Sequence, residues 1–215
     1  IPVYETDESL NPIRAFPTDD YYALLSDNEG IGLDGAIDIA VGRLTVTTLD
    51  EANAVVNKII QYDTSPLRFG DWKLRTTYTA DDEDTNTHLN QIDGIARMVT
   101  NDFPIINDQK IYFDAYRQET TPGGERYPDV EDAFERTMDR GHLTFCYLGH
   151  GGPKGWAQER VLKVADIQEW DNINNQTLIV TATCSFTGYD DPEVKSAGEY
   201  ALLNGKGGAV ALFTT

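Results

Sequence analysis

Short β-rich apolar runs alternate with stretches of helical apolar spacing along nearly the whole chain, and this alternation leaves few folds open. Residues 73–80, 110–113, 142–148, 177–183 and 208–213 read as strands. Between them Leu89, Ile92, Ile95, Ala96 and Val99, then Val130, Ala133, Phe134 and Met138, and finally residues 197–203 recur at helical spacing. Upstream, Ile37-Asp38-Ile39-Ala40-Val41 alternates apolar and polar like a strand and is ended by Gly42-Arg43. Thr48-Leu49-Asp50-Glu51 then opens a helix whose apolar positions are Ala52, Val55, Val56, Ile59 and Ile60, ending near Tyr62 before Ser65-Pro66. The predicted class is α/β, a mostly parallel sheet with helices on both faces and right-handed crossovers. Residues 1–35, with turn-rich Pro17-Thr18-Asp19-Asp20 and a second such stretch over 28–35, read as an irregular N-terminal segment. Residues 36–215 read as the α/β domain, with a candidate subdomain boundary near Lys110.

A chain of 215 residues, 40% of them apolar, can bury a sizeable core. The net charge of −19 argues against nucleic acid as a partner, because phosphates need Lys and Arg to neutralise them. It argues equally against docking on anionic lipid and suits solubility outside the cell. No apolar run is long enough to cross a bilayer as a helix, and no charged segment followed by an apolar one opens the sequence. The chain begins at Ile1 without a methionine and stops just after the apolar run 209–213, which reads as a piece of a longer protein.

In open parallel sheets, sites lie beyond the carboxyl ends of the strands. Two strand ends carry reactive side chains: Leu148-Gly149-His150-Gly151-Gly152, and Ala182-Thr183-Cys184-Ser185. On neighbouring strands, His150 and Cys184 would meet at one edge. The thiolate is the nucleophilic form of cysteine, and a nearby imidazole can take its proton and later protonate a leaving amine. The backbone N–H groups of Gly151 and Cys184 would then face the oxyanion of a tetrahedral intermediate. Taken singly, a cysteine in apolar surroundings is more often inert core and a histidine more often a satisfied polar group; their joint placement brings the catalytic reading level with the inert one. Cys146, the other cysteine, lies four residues before His150, roughly 13 Å below its strand end. On level parallel strands it is too far from Cys184 for a disulfide and is expected to be a core thiol.

Tyr147-Leu148-Gly149-His150-Gly151 resembles the Y-x-G-H-G segment of the gingipains, whose histidine is catalytic, and Cys184, 34 residues later, matches their catalytic cysteine. The wider clan, which includes the caspases, shares the order His-Gly then Cys. Residues 38–44 (Asp-Ile-Ala-Val-Gly-Arg-Leu) are also similar to a gingipain-family segment. The likeness is closer to the PorU-like branch, the sortases of the type IX secretion system. It is carried by Gly149-His150-Gly151-Gly152-Pro153, by the stretch from Gly155-Trp156 to Val161-Leu162, by Thr181-Ala182-Thr183-Cys184-Ser185-Phe186, and by Ser196-Ala197-Gly198-Glu199. The resemblance implies a caspase/gingipain-like fold and a cysteine endopeptidase or transpeptidase at the outer membrane surface of Bacteroidetes. Such an enzyme cleaves the C-terminal signal domain from exported proteins through a thioester. It passes the acyl group to water or to an amine of surface lipopolysaccharide, and works beside other type IX secretion components.

Gingipains also carry an acidic residue that assists the histidine, in an E-x-x-x-x-H segment. Here Glu83 precedes His88 by five positions, so the resemblance gives Glu83 that role. The competing reading of Glu83 is a solvated carboxylate like its neighbours Asp81, Asp82 and Asp84. That acidic loop suits calcium by its oxygen chemistry, but nothing fixes a ligand set. Thr183 departs from the gingipains, which have alanine there, and the residues that build their specificity pocket lie beyond the last strand. Trp156 is expected to line the substrate cleft or, as a competing reading, to pack its own loop; Glu159 either orients that loop, pairs with Arg160, or is a surface charge. His88 and His142 read as structural. No cofactor or metal is expected, since His150 and Cys184 alone make no ligand set.

Two other functions compete. Gly149–Gly155 is glycine-rich and follows a strand, as phosphate loops do, yet it has neither G-x-G-x-x-G nor Lys followed by Ser or Thr. A peptidase fold that only binds a peptide or signal domain is the second.

Overall fold

The computed structural model describes residues 2–5, 17–30 and 34–214. Five strands form its central sheet: β1 (Arg75–Ala80), β2 (Asn107–Tyr112), β3 (Thr144–Leu148), β4 (Thr177–Ala182) and β5 (Ala209–Thr214). Their order across the sheet is β5-β4-β3-β1-β2 and every pairing is parallel. The ladder therefore runs across residue 110 without a break, since Lys110 stands opposite Tyr78. The chain leaves β1 toward one edge, returns past it to β3, and continues to the other edge. The reversal falls between β1 and β3, which is where open α/β sheets place their sites.

Five helices connect or flank the strands: α1 (Leu49–Thr64), α2 (Thr87–Asp102), α3 (Pro128–Arg140), α4 (Val164–Glu169) and α5 (Ala197–Leu203). For α1, α3 and α5 side-chain chemistry marks the start. The Thr48 hydroxyl accepts the Glu51 N–H while Glu51 reaches back to the Thr48 N–H, a reciprocal cap that satisfies two donors at the start of α1. Ser196 and Glu199 repeat the device at α5, there buried. Pro128 opens α3, where its missing N–H costs nothing.

Alternation along β3 divides the core in two. Phe145 and Tyr147 face one side with Ile179 of β4, Phe134 and Met138 of α3, and Ala197 and Ala201 of α5. Cys146 and Leu148 face the other with Tyr78 and Ala80 of β1 and Ile92 and Ala96 of α2. Helices thus cover both faces, as the continuous apolar strands demand. At the heart of the first cluster Trp156 stacks on Tyr147 at 4.4 Å and meets Phe145, Phe134 and Phe186 edge-on or tilted at 5.4–5.9 Å.

The sequence reading departs from the structure in three places. Ile37-Asp38-Ile39-Ala40-Val41 enters no ladder among the described residues, and Ile37, Ile39 and Val41 are 57%, 52% and 41% exposed. Alternation marks two faces of an extended segment, but a strand also needs a neighbour to take its N–H and C=O groups. Between β3 and β4, where no element was expected, Gly151–Gly152, Gly155–Trp156 and Leu162–Lys163 form a small antiparallel sheet followed by α4. The loop after β2 holds a short hairpin, Glu119–Thr121 with Gly124–Arg126. Of the N-terminal segment expected to be irregular, residues 6–16 and 31–33 lie outside the described residues. Within the rest, Tyr4–Glu5 pairs with Pro17–Thr18, and Asp19 forms an ion pair with Arg43.

Candidate active site

Strands β1, β3 and β4 end level. Ala80 stands opposite Leu148, and Leu148 opposite Ala182. The three loops that leave them therefore start side by side, with Asp81 on the first, Gly149 and His150 on the second, and Thr183 and Cys184 on the third. The last two run against each other: Gly149 donates its N–H to the Ala182 carbonyl at 3.3 Å. A Cβ on Gly151 would stand 2.5 Å from Thr183 Oγ1, and one on Gly149 would stand 2.6 Å from both Asp81 and the Tyr147 hydroxyl. Glycine on either side of His150 is what lets three loops converge.

The backbone of His150 is gripped at both ends. Its N–H donates to Asp81 Oδ2 at 2.6 Å, and its carbonyl accepts from the Tyr147 hydroxyl and from the Ala157 N–H at 2.8 Å. Burial holds the Tyr147 phenol well above its ordinary range, so it remains a donor. The imidazole, by contrast, is partly exposed, and its Nε2 lies 2.8 Å from Asp84 Oδ2. Asp84 gets there through a tight turn in which Asp84, Thr85 and Asn86 all take left-handed backbone angles, with φ of 53°, 56° and 60°. Three such residues in a row hold strain of the kind that gathers at functional sites.

Cys184 is exposed, whereas Cys146 is half-buried. Cys146 stands opposite Val180 and burial pushes its thiol up to about 12, so it remains protonated and inert. Four residues of strand separate that level from Cys184, and both thiols are free, as the register argument expects. The loop behind Cys184 turns at Ser185, with φ of 49°, and is anchored by Phe186, whose ring is fully buried. The first turn of α5 then ties the histidine and cysteine loops together. Ala197 donates its N–H to the Pro153 carbonyl at 2.7 Å and Gly198 donates to the Phe186 carbonyl at 2.9 Å. Beside His150 opens a cleft of about 1080 Å³, walled by Gly152, Pro153, Arg160, Val164 and Val194.

Several residues stand where the sequence did not put them. Asp81 reads as one of four solvated acids, yet it is fully buried, because it is the first residue past β1 at the reversal point of the sheet. His88 reads as structural from the sequence; its Nδ1 lies 2.6 Å from Asp81 Oδ1, and its ring meets that of His150 at 5.3 Å in an edge-on arrangement. Glu83 precedes the strained turn, and the carboxylate beside the His150 ring is its neighbour Asp84. Trp156 borders the cleft, but its ring has no exposed surface and stacks on Tyr147. Glu159 is 3% exposed; burial foremost, then Asp82, Glu83 and Asp81, raises its carboxyl above the ordinary range. His142 is buried beside Thr77, 2.6 Å from its hydroxyl, and burial lowers it to about 4, which suits a neutral structural residue.

Among known proteins, the chain matches peptidase family C25 over residues 1–215. Its fold is similar to that of the Arg-specific cysteine proteinase gingipain R, with a TM-score of 0.69 at 18% identity over 92% of this chain and 43% of that one. It is similar also to the complex of Porphyromonas gingivalis RgpB pro- and mature domains, with a TM-score of 0.70 at 16% identity over 92% of this chain and 44% of that one. The chain spans less than half the length of these structures. No curated protein matches its sequence.

Proposed function

Since the chain belongs to peptidase family C25, the gingipain family of cysteine peptidases, we propose that Cys184 is its nucleophile and His150 its base. The observation that carries this is the level ending of β3 and β4, from which the two residues leave on loops in contact. In the reaction, His150 takes the thiol proton and the Cys184 sulfur attacks the scissile carbonyl. The N–H groups of Gly151 and Cys184 stabilise the oxyanion. The tetrahedral intermediate collapses to a thioester as the amine leaves with the proton from His150. Water or a second amine then attacks the thioester, giving an acid or a new amide. Asp84 and Glu83 are the carboxylates that would orient the imidazole, Asp84 by its contact and Glu83 by the family's E-x-x-x-x-H spacing.

The finer reading is a PorU-like sortase that removes the C-terminal signal domain of exported proteins at the outer membrane surface. Its acceptors would be water or a lipopolysaccharide amine, and its partners other type IX secretion components. The segments around His150, Cys184 and Ser196 support it, as does a net charge of −19, which suits a surface protein better than a nucleic-acid binder.

Alkylation by a small thiol reagent from pH 5 to 9, mapped by mass spectrometry in the wild type and His150→Ala, tests the dyad. Fast reaction at Cys184 at low pH, slowed in the variant, with Cys146 protected, is the expected result. A Cys184 as inert as Cys146, or indifferent to His150, would end the catalytic reading. Parallel Glu83→Gln and Asp84→Asn variants decide which carboxylate serves the imidazole.

A further inference from the structure

Next to the thiol chemistry stands a group of side chains that it does not use. Asp81, His88 and His150 bring one ligating atom each within 4.8 Å of one another. Asp81 is fully buried and fixed, with Oδ2 on the His150 N–H and Oδ1 2.6 Å from His88 Nδ1. The two imidazoles meet edge-on, so their nitrogens converge without the rings clashing. A second carboxylate is in reach of both rings: Asp84 Oδ2 lies 2.8 Å from His150 Nε2 and 3.7 Å from His88 Nε2.

We infer that Asp81, His88 and His150 form a zinc site that switches the peptidase off. Two imidazoles and a carboxylate are the ligand chemistry of zinc, whereas calcium and magnesium call for oxygens throughout. Around zinc, tetrahedral ligand atoms stand about 3.4 Å apart, so small rotations of the two rings suffice to close the set. The acids at residues 81–84 draw a divalent cation to this spot. Three protein ligands leave a fourth position for water. An imidazole nitrogen that holds zinc cannot accept the proton of Cys184, so the bound ion leaves the thiol protonated and the enzyme silent until the metal is withdrawn. Binding itself is independent of the dyad; only the inhibitory consequence rests on the catalytic role given to His150.

Calorimetric titration with zinc chloride tests binding in the wild type, His88→Gln and Cys184→Ala. His88→Gln keeps an N–H donor for Asp81 while removing both ring nitrogens. One zinc ion per chain is expected in the wild type and in Cys184→Ala, with affinity at least about tenfold weaker in His88→Gln, and no displacement by calcium. Circular dichroism establishes that each variant is folded. The readout for inhibition is the rate of Cys184 alkylation with zinc divided by the rate without it, expected to fall at least about tenfold in the wild type and far less in His88→Gln. Equal zinc affinity in the wild type and His88→Gln overturns the site. So does loss of binding in Cys184→Ala, which would put the ion between Cys184 and His150. If zinc binds as expected but Cys184 never reacts, the catalytic reading falls and the metal site stands; a His150-dependent thiol indifferent to zinc gives the reverse.

Discussion

The loops that carry His150 and Cys184 leave adjacent strands at the same level, yet they are held in different ways. The His150 backbone is fixed by three hydrogen bonds, one of them to a fully buried carboxylate. Cys184 is exposed on a turn whose anchors, the Phe186 ring and the Phe186 carbonyl, lie two residues on. His150, the proposed base, is built into the sheet; Cys184, the proposed nucleophile, is positioned from outside, by the first turn of α5. On that proposal the group that handles protons is fixed and the attacking atom keeps room to follow a substrate carbonyl.

The comparison breaks most directly at Asp81. Asp81→Ala removes the partner of two groups at once, and breaking a buried charged contact of this kind costs about 3–5 kcal/mol. Chemical denaturation should show that loss, and alkylation should show Cys184 losing its dependence on His150. If stability falls by less than about 1 kcal/mol, the histidine loop is not held as described.

Acid supplies a control at the opposite end of β3. His142 is lowered to about 4 when folded, against an ordinary 6.5, so the unfolded chain binds a proton that the folded one refuses. Stability is full above pH 6.5 and is lost as pH falls toward 4, by on the order of 3 kcal/mol. His142→Asn should flatten that part of the stability profile and leave Cys184 reactivity unchanged. A change in reactivity would mean the two ends of the strand are coupled.

Gly198→Ala sharpens the contrast on the cysteine side. The added methyl would stand 2.0 Å from Thr187 Oγ1 and 2.9 Å from the Phe186 carbonyl, so the loop must shift. Overpacking of this sort costs roughly 1–3 kcal/mol. Hydrogen exchange should quicken over residues 183–188 and hold steady at His150. The smallest effect belongs to Ser196→Ala, which removes one half of the α5 cap for about 1 kcal/mol. Its thermal shift should be modest, and a slower Cys184 would show that α5 sets the nucleophile's position.

Much of this was legible in the chain. The apolar, β-rich runs at residues 144–148 and 177–182 read as buried strands, and strand ends are where parallel sheets keep their chemistry, so the placing of His150 and Cys184 just past two strand ends was legible without coordinates. Thr48 with Glu51 also announced a helix start. Asp81 could not be found that way: in a run of four acids nothing marks the first as buried until the strand order puts it at the reversal of the sheet. His88 joins it only because α2 begins on the far side of a left-handed turn. At Ile37–Val41 the reverse happened: the local pattern was that of a strand, but pairing depends on a partner elsewhere in space. Trp156 sits on a short hairpin that no periodicity announces, and its ring turns inward to Tyr147 rather than out to the cleft.

The register between β3 and β4 has a consequence for redox chemistry. Because Cys146 lies opposite Val180, Cys184 has no resolving thiol beside it among the described residues. A sulfenic acid formed there by peroxide has no internal disulfide to fall back on, and without an external thiol it passes on to the irreversible acids. The same isolation makes Cys184 a single-site handle: an electrophilic dye or crosslinker added to the folded chain should label Cys184 and leave the half-buried, protonated Cys146 untouched.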